Sequence, residues 1–256
     1  MPLAASPEDL QRHERACRER VLSYRATRRT RYEWRVEREA VMARLRPHSG
    51  LRVLDAGCGI GRISLAALGA GAEVVAVDFA FARLRQLRQQ APAWARLRVC
   101  QADLTRLPVR AAQFEAIVCT QVLEHLPGAA GRRALLAAFA RLLLPGGRLL
   151  LTVYNHSCAW RRRGLPREGV HESGIFYHCY EADELRSELA DFEVLELCGV
   201  SNLLPHTWRL FPLLGPLGRF LDHRAEGNPA VSQDCGQLLL AHARLRAEGA
   251  TRANGG

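Results

Sequence analysis

Short apolar runs alternate with helical patterns through most of this chain. The first run, Val53-Leu54, ends in Asp55, and a helical spacing of apolar residues begins at Ile63. The second run, 74–77, is continuously apolar, as expected of a strand that is buried on both faces. The predicted strands cover 53–55, 73–78, 97–101, 114–120, 148–154, 192–197 and 237–244. Because these strands alternate with helices, we predict an α/β fold with a doubly wound, mostly parallel sheet of seven strands.

The turn after the first strand is rich in glycine. Asp55 precedes Gly57, Gly59 and Gly61, with Cys58 between the first two. Glycines allow a positive φ and leave room for a ligand against the main chain, and the following helix N-terminus offers unpaired N–H groups. We therefore expect a small, partly anionic cofactor across this loop. The spacing differs from the G-x-G-x-x-G dinucleotide fingerprint, which argues against an NAD-dependent oxidoreductase.

The D-x-G-x-G-x-G pattern resembles that of the class I S-adenosylmethionine-dependent methyltransferases. The resemblance covers roughly residues 50–155 and is loose in the flanks. It implies a Rossmann-like methyltransferase fold whose last strand is antiparallel, with S-adenosylmethionine as the cofactor. The predicted cofactor-binding residues are Asp55, Gly57, Cys58, Gly59, Gly61, Asp78, Phe79, Asp103, Leu104 and Gln121.

The residues after the second, third and fourth strands have separate expected roles. Asp78 ends the second strand, where a carboxylate can accept hydrogen bonds from both ribose hydroxyls; a solvated strand-end aspartate is the alternative. Phe79 can pack on the adenine face. The resemblance implies that Asp103 binds the adenine amino group, that the Leu104 N–H binds a ring nitrogen, and that Gln121 lies near the transferable methyl group.

The domain division follows from the glycine-poor, arginine-rich N-terminus. Residues 1–47 are predicted to be helical, with Ser6 as an N-cap and a second helix near 30–45. The resemblance implies that this segment caps the cofactor cleft and that Arg31 or Arg35 meets the cofactor carboxylate; plain surface arginines are the alternative. The methyltransferase domain is predicted over 48–246, with an insertion or lid at 203–229 and a disordered tail at 247–256.

The stretch 155–178 is predicted to be loop-like at the carboxyl edge of the sheet, where ligands bind in open α/β folds. Candidate substrate-facing residues are Tyr154, Asn155, His156, His171, Glu172, Tyr177 and His178. If the reaction uses a general base, we expect His156 or Tyr154; catalysis by alignment alone is the alternative. The sequence leaves two roles open for Glu124 and His125: an acid/base pair, or a structural or cofactor-side role. No metal-ligand spacing repeats, so no metal site is predicted.

Charge and cysteine usage bear on partners and location. The net charge is +10, and every basic residue is arginine. This excess fits either solvated helix faces or an anionic partner such as RNA. The eight cysteines form no C-x-x-C pair, which indicates a reducing compartment. Because no apolar leader and no run of about 18 apolar residues is present, we expect no membrane span and a cytoplasmic protein.

Three functions remain open at this point. The first is a methyltransferase that acts on a small molecule through an oxygen, nitrogen or carbon nucleophile. The second is a tRNA-modifying methyltransferase, because the run 176–180 followed by an acidic helix is similar to some enzymes of that kind. The third is a regulator that binds the cofactor without catalysis. The sequence leaves the oligomeric state open.

Overall fold

The computed structural model describes most of the 256-residue chain. The described residues are 6–20, 28–107, 110–157, 164, 166–201, 217, 220, 221, 223, 224 and 227–247. The strands are β1 (Arg52–Ala56), β2 (Glu73–Asp78), β3 (Leu97–Gln101), β4 (Phe114–Thr120), β5 (Leu143–Tyr154), β6 (Glu168–Val170), β7 (Phe176–His178), β8 (Phe192–Val200) and β9 (Leu238–Leu245). The helices are α1 (Pro7–Arg20), α2 (Arg28–Leu45), α3 (Arg62–Gly69), α4 (Phe81–Gln90), α5 (Ala129–Leu142), α6 (Ala182–Glu188) and α7 (Pro229–Cys235).

Seven of these strands form one sheet in the order β3-β2-β1-β4-β5-β9-β8. The first five run parallel, and β9 is antiparallel to both β5 and β8. This arrangement confirms the predicted Rossmann-like sheet with its antiparallel last strand. The strand order reverses between β1 and β4, and in open α/β sheets this reversal marks the crevice in which ligands bind.

Helices cover both faces of the sheet because the central strands are apolar on both sides. Leu54 of β1 packs in a cluster with α5 and α6, whereas its neighbour Val53 packs with α2, α3 and α4. Phe139 and Leu87 are the fully buried anchors of α5 and α4. A sheet that is buried on both faces leaves its carboxyl edge as the accessible place for a site.

Two local predictions differ from the structure. The fifth strand was predicted over 148–154, but β5 begins at Leu143, directly after α5, because Leu143 already pairs with Phe114 across a bulge. The stretch 155–178 was predicted to be loop-like, but it contains a two-stranded hairpin in which Glu168 pairs with His178 and Val170 with Phe176.

Two helices, α1 and α2, lie in the N-terminal segment that was predicted to be helical. Ser6 accepts a hydrogen bond from the Asp9 N–H at 3.2 Å, as an N-cap does. Helix α1 contacts α4 and β7, and α2 contacts α3, β5 and β8. Most of the predicted insertion at 203–229 and nearly all of the predicted tail at 247–256 lie outside the described residues. Within the described part of the chain, no helix combines the length and apolar character that crossing a membrane requires.

Candidate cofactor and active site

Three hydrogen bonds from backbone N–H groups fix the glycine loop to the end of β2. The N–H groups of Gly57 and Cys58 both donate to the carbonyl of Val77, at 2.8 and 2.9 Å. The N–H of Gly59 donates to Oδ2 of Asp78 at 2.8 Å. The loop therefore lies across the carboxyl ends of two neighbouring strands, immediately before α3.

Two of the glycines are required by close packing as well as by their backbone conformation. Gly57 has a φ of +75° and Gly61 a φ of +84°. A Cβ at Gly57 would overlap Val122, and one at Gly61 would overlap Leu87. The loop consequently packs directly against the turn that follows β4, so residues after β4 border the same crevice.

Asp55 lies beneath this loop and holds the start of α3. Its Oδ2 accepts hydrogen bonds from the N–H and the hydroxyl of Ser64, at 3.0 and 2.5 Å. Only 1% of its surface is exposed. Burial raises the pKa of Asp55 to about 6, although the hydrogen bonds from Ser64 oppose the rise. We infer that Asp55 shapes the loop from below, which leaves ligand contact to the backbone above it.

Asp78 and Asp103 lie at the ends of adjacent strands, as predicted. Asp78 pairs in register with Gln101, so Asp103 follows two residues beyond that pair. The second oxygen of Asp78 accepts from the Ala80 N–H at 2.9 Å. Oδ1 of Asp103 accepts from the N–H and the hydroxyl of Thr105, at 2.9 and 2.7 Å. The two carboxylates thus edge one crevice from β2 and β3.

Helix α1 places a cation at this edge. Nη2 of Arg15 lies 3.3 Å from Oδ2 of Asp103, and the guanidinium carbon lies 5.7 Å from the centroid of the Phe79 ring. Leu104, beside Asp103, is buried. The structure therefore brings Arg15 to Phe79 and Asp103, two of the three residues that were predicted to contact adenine.

The arginines that were expected to reach the crevice from α2 lie elsewhere. Arg31 and Arg35 are exposed, and Arg35 lies over the ring of Tyr32 with 5.8 Å between its guanidinium carbon and the ring centroid. Besides its apolar residues, α2 turns one described acidic side chain inward, Glu37, which is fully buried. Its Oε2 accepts from Nε2 of Gln121 at 2.8 Å and forms an ion pair with Nη1 of Arg62 at 3.0 Å. Neither Glu37 nor Arg62 is among the site residues predicted from the sequence.

Gln121 has an unusual backbone at the end of β4. Its φ is +53°, and its N–H donates to the carbonyl of Thr152 at 3.0 Å. The hydroxyl of Thr152 donates to Oε1 of Glu37 at 2.6 Å. A positive φ in a residue other than glycine costs free energy and is retained where the surroundings enforce it. Here the hydrogen bonds with Thr152 and Glu37 fix Gln121 beside the glycine loop.

Four rings cluster beyond the ends of β4 and β5. His125 lies 5.7 Å from Tyr154 and 6.4 Å from His171, measured between ring centroids. Tyr154 and His171 are 6.0 Å apart, and His171 and Tyr177 are 4.6 Å apart. Nδ1 of His125 lies 2.8 Å from the carbonyl oxygen of Phe176. Tyr154, His171 and Tyr177 were predicted to face the substrate, and the hairpin brings the last two to His125.

The other predicted substrate-facing residues have different surroundings. Asn155 is buried and donates from Nδ2 to the carbonyls of Gln233 and Gly236, at 2.6 and 2.9 Å. His178 lies between two carboxylates, with Nδ1 3.1 Å from Glu168 and Nε2 2.9 Å from Glu184. The contacts of Asn155 hold it against the C-terminal segment, and those of His178 join the hairpin to α6. Both side chains therefore bond to other parts of the fold.

His156 and Glu172 complete this set. Nδ1 of His156 lies 3.5 Å from Oε1 of Glu181. The backbone N–H of His156 donates to the carbonyl of Tyr180 at 2.9 Å. Glu172 is exposed at the turn of the hairpin. His156 therefore lies beside Glu181 at the start of α6, while Tyr154, two residues earlier, lies in the ring cluster. Glu124, the neighbour of His125, is fully buried.

Comparison with known proteins identifies a family model and relatives that match this chain in sequence. A family model for a methyltransferase domain matches residues 53–147. The ubiquinone biosynthesis O-methyltransferase of Xanthomonas axonopodis pv. citri (strain 306) is 39% identical over 189 residues, which cover 68% of this chain and 74% of that protein. The protein of the same name from Xylella fastidiosa (strain 9a5c) is 41% identical over 118 residues, which cover 44% of this chain and 46% of that protein. The matched part thus spans about half the length of the Xylella relative.

A solved structure supports the same fold. The 1,6-didemethyltoxoflavin-N1-methyltransferase of Burkholderia thailandensis, solved with 1,6-didemethyltoxoflavin and S-adenosylhomocysteine bound, aligns with a TM-score of 0.64. The alignment covers 94% of this chain and 91% of that chain at 19% sequence identity. At this identity the likeness establishes the architecture of the chain and leaves the acceptor to be argued from the site.

Proposed function

The chain belongs to the class I S-adenosylmethionine-dependent methyltransferases, and we propose that it methylates a hydroxyl oxygen of a small aromatic acceptor. The cluster of His125, Tyr154, His171 and Tyr177 beyond β4 and β5 is the observation that carries this proposal. The relatives named as ubiquinone biosynthesis O-methyltransferases support an oxygen acceptor. Transfer to nitrogen or carbon is the alternative that the experiment below must separate.

The crevice at the carboxyl edge fits S-adenosylmethionine. Asp78 and Asp103 present carboxylates from adjacent strands, each oxygen of which can accept more than one hydrogen bond. Phe79 offers an aromatic face beside them. We propose that Asp78 holds the ribose, that Phe79 and the Asp103-Leu104 pair hold adenine, and that the backbone of 57–61 holds the methionine group. When bound, the cofactor supplies an electrophilic methyl group on a sulfonium.

His125 is suited to remove the acceptor proton. A carbonyl oxygen can only accept, so the hydrogen bond to Phe176 fixes the proton of the neutral ring on Nδ1. Nε2 then carries the lone pair and can take a proton from an acceptor hydroxyl. A positioned general base contributes about 10²- to 10⁴-fold to such a step. This assignment replaces His156, which faces Glu181.

The other three rings are suited to orient a planar acceptor. Tyr154 meets His125 at an interplanar angle of 87° and His171 at 84°. Edge-to-face packing of this kind is a stable arrangement of aromatic rings, and a flat acceptor can extend it. Because burial raises the pKa of Tyr177, its phenol stays protonated at neutral pH and can donate a hydrogen bond. Alignment of two bound reactants can supply about 7–11 kcal/mol of the barrier.

The purified chain should be incubated with S-adenosylmethionine and three matched acceptors: 3,4-dihydroxybenzoate, 3,4-diaminobenzoate and 3,4-dimethoxybenzoate. We expect a singly methylated product from the dihydroxy compound alone, detected by mass spectrometry. Methylation of the diamine but not of the diol would contradict an oxygen acceptor. Methylation of neither, with cofactor binding intact, would favour the non-catalytic regulator or another acceptor class.

An RNA acceptor and the cellular location are tested separately. The arginine excess and the run 176–180 before an acidic helix favour RNA, and binding to phosphates weakens steeply as salt rises. A tRNA-modifying enzyme should bind tRNA at low salt and methylate it, whereas we expect neither. We also propose a cytoplasmic location, because the described cysteines are free thiols and free thiols are typical of reducing compartments.

A further inference from the structure

Glu37 is a buried carboxylate that α2 directs toward the glycine loop. It accepts hydrogen bonds from Gln121 and Thr152 and forms an ion pair with Arg62 at 3.0 Å. None of its side-chain surface is exposed, whereas 23% of the Arg62 side chain is. A buried charge is costly unless it is paired and hydrogen-bonded, and a buried ion pair often stabilises a fold no better than apolar residues would. Stability alone therefore gives little reason for an ion pair at this position.

The position of the pair indicates a ligand. Arg62 is the first residue of α3 and directly follows Gly61. Gln121, the second partner of Glu37, precedes Val122, the residue that packs on Gly57. The pair therefore borders the glycine loop on the side of β4 and β5. This is the part of the crevice that remains for the amino-acid end of a nucleoside held at Asp78 and Asp103.

The guanidinium of Arg62 is held in a way that leaves donors for such a ligand. It lies over the ring of Trp34, 5.0 Å from the centroid. Among the described residues, both of its hydrogen bonds, to Glu37 and to the Trp34 carbonyl, leave from Nη1. A guanidinium has five N–H donors in a planar fork that matches a carboxylate. Nε and Nη2 are therefore suited to a two-point contact with a carboxylate.

We propose that Arg62 binds the carboxylate of the methionine group of the cofactor and that Glu37 is the positioning residue that holds Arg62 in place. The methionine group carries a carboxylate, and Arg62 presents the complementary charge while Glu37 stays buried behind it. This inference rests on the proposed function, and it assigns to the glycine-loop helix the cation that the sequence placed at Arg31 or Arg35 on α2.

Calorimetry with two ligands tests the proposal without measuring turnover. S-adenosylhomocysteine carries the amino-acid group, whereas 5′-methylthioadenosine carries the same nucleoside thioether without it. Arg62→Gln should weaken S-adenosylhomocysteine binding by about 10- to 100-fold, as expected for a lost hydrogen-bonded charge contact. It should change 5′-methylthioadenosine binding by less than about twofold. Arg38→Gln, an exposed neighbour of Glu37 on α2, is the matched control and should leave both affinities unchanged.

The role of Glu37 is tested by a double-mutant cycle. If Glu37 acts through Arg62, Glu37→Gln should weaken S-adenosylhomocysteine selectively, and the double variant should be no weaker than Arg62→Gln alone. An additive loss would overturn the positioning role. Retained binding of 5′-methylthioadenosine shows in each case that the variant is folded.

Three results would overturn the proposal as a whole. Arg62→Gln could weaken both ligands equally or neither of them, or Arg35→Gln could cause the selective loss instead. The failure of the cofactor assignment gives a different result, because the wild-type chain would then bind neither ligand, and the failure of the acceptor assignment is read separately from the products of the acceptor assay. If Arg62→Gln loses affinity for S-adenosylhomocysteine alone, the result supports both the role of Arg62 and the assignment of the cofactor.

Discussion

The guanidinium of Arg15 lies 3.3 Å from the carboxylate of Asp103 and stands over the ring of Phe79. These are the contacts that an adenine ring would make at the same place: an aromatic face on one side and an N–H donor toward Asp103. The guanidinium carbon is 5.7 Å from the Phe79 centroid. Two stacked planes need about 3.5 Å each, so adenine cannot enter between them while Arg15 stays in this position. Arg15 and adenine therefore compete for the same position over Phe79 and beside Asp103.

We expect Arg15→Ala to tighten the binding of adenosine and S-adenosylhomocysteine by about two- to fivefold. The size follows from the worth of an exposed ion pair, about 0.2–1 kcal/mol. Calorimetry measures the change. Arg12→Ala is the control, because Arg12 lies on the same helix and pairs with Asp9 on its exposed face. Weaker adenosine binding in Arg15→Ala would show that Arg15 stacks on the bound ring instead.

Asp78 is expected to clamp the loop and to bind the ribose. Its two oxygens already accept from Gly59 and Ala80, and each keeps acceptor capacity for a hydroxyl. Asp78→Asn places an amide donor against one of those N–H groups. We expect adenosine binding to weaken by about 10- to 100-fold, since hydrogen bonds to a charged group are worth about 1.5–3 kcal/mol.

The ribose role is separated from the loop role by 2′,3′-dideoxyadenosine. The wild-type chain should prefer adenosine to the dideoxy analogue, and Asp78→Asn should lose most of this preference. A variant that binds both nucleosides more weakly but keeps the wild-type ratio would restrict Asp78 to holding the loop.

Asp55 should make the stability of the protein fall as pH rises. Burial raises its pKa from 3.8 to about 6, so the native state binds this proton more tightly than the unfolded chain does. The resulting stabilisation is complete below about pH 4 and is lost as pH rises through 6. Between pH 5 and pH 8 the wild type should lose about 1–2 kcal/mol of unfolding free energy through this group.

Urea unfolding at the two pH values measures this loss. Asp55→Asn keeps an acceptor for Ser64 and has no proton to release, so its stability should change less over the same range. Ser64→Ala removes the hydroxyl hydrogen bond, which lowers the pKa of Asp55, keeps the backbone one, and should steepen the loss. Equal slopes in the wild type and Asp55→Asn would mean that Asp55 is ionised at both pH values.

The sheet and the loop were predictable because their signals are local. The apolar run 74–77 and the alternating glycines after Asp55 each report on their own backbone, and Gly57 and Gly61 do take positive φ. The positions of the carboxylates Asp78 and Asp103 were predictable from the same strand pattern, because both lie at the ends of predicted strands. Their roles in binding stay predictions until a ligand is tested.

Glu37 could not be found in this way. It is one acid in a helix of many arginines, and its hydrogen bond to Thr152 joins residues 115 positions apart. The arginines of α2 suggested a cation, but Arg31 and Arg35 are exposed while the Glu37 carboxylate is buried with three donors. Only packing decides which face of such a helix turns inward.

The hairpin was missed for a similar reason. Strands of three residues, Glu168–Val170 and Phe176–His178, are too short to show a period of two. Their pairing is reinforced by the contacts of His178 with Glu168 and Glu184. The consequence for the site is large, because this hairpin carries His171 and Tyr177 to His125.

The choice between His125 and His156 as general base can be made by kinetics. His125→Gln should lower kcat for a hydroxyl acceptor by about 10²- to 10⁴-fold. The affinity for S-adenosylhomocysteine should stay within about twofold, because the imidazole lies beyond the β4 turn and not among the cofactor residues. His156→Gln should change kcat far less, since its ring faces Glu181.

The acidity of the acceptor makes this prediction specific for proton removal. A more acidic acceptor, such as a nitro-substituted catechol that is ionised at the assay pH, should recover most of the lost rate because it has no proton to give. If His125→Gln is equally slow with both acceptors, the imidazole orients the acceptor ring and removes no proton; a larger loss in His156→Gln would return the assignment to that residue.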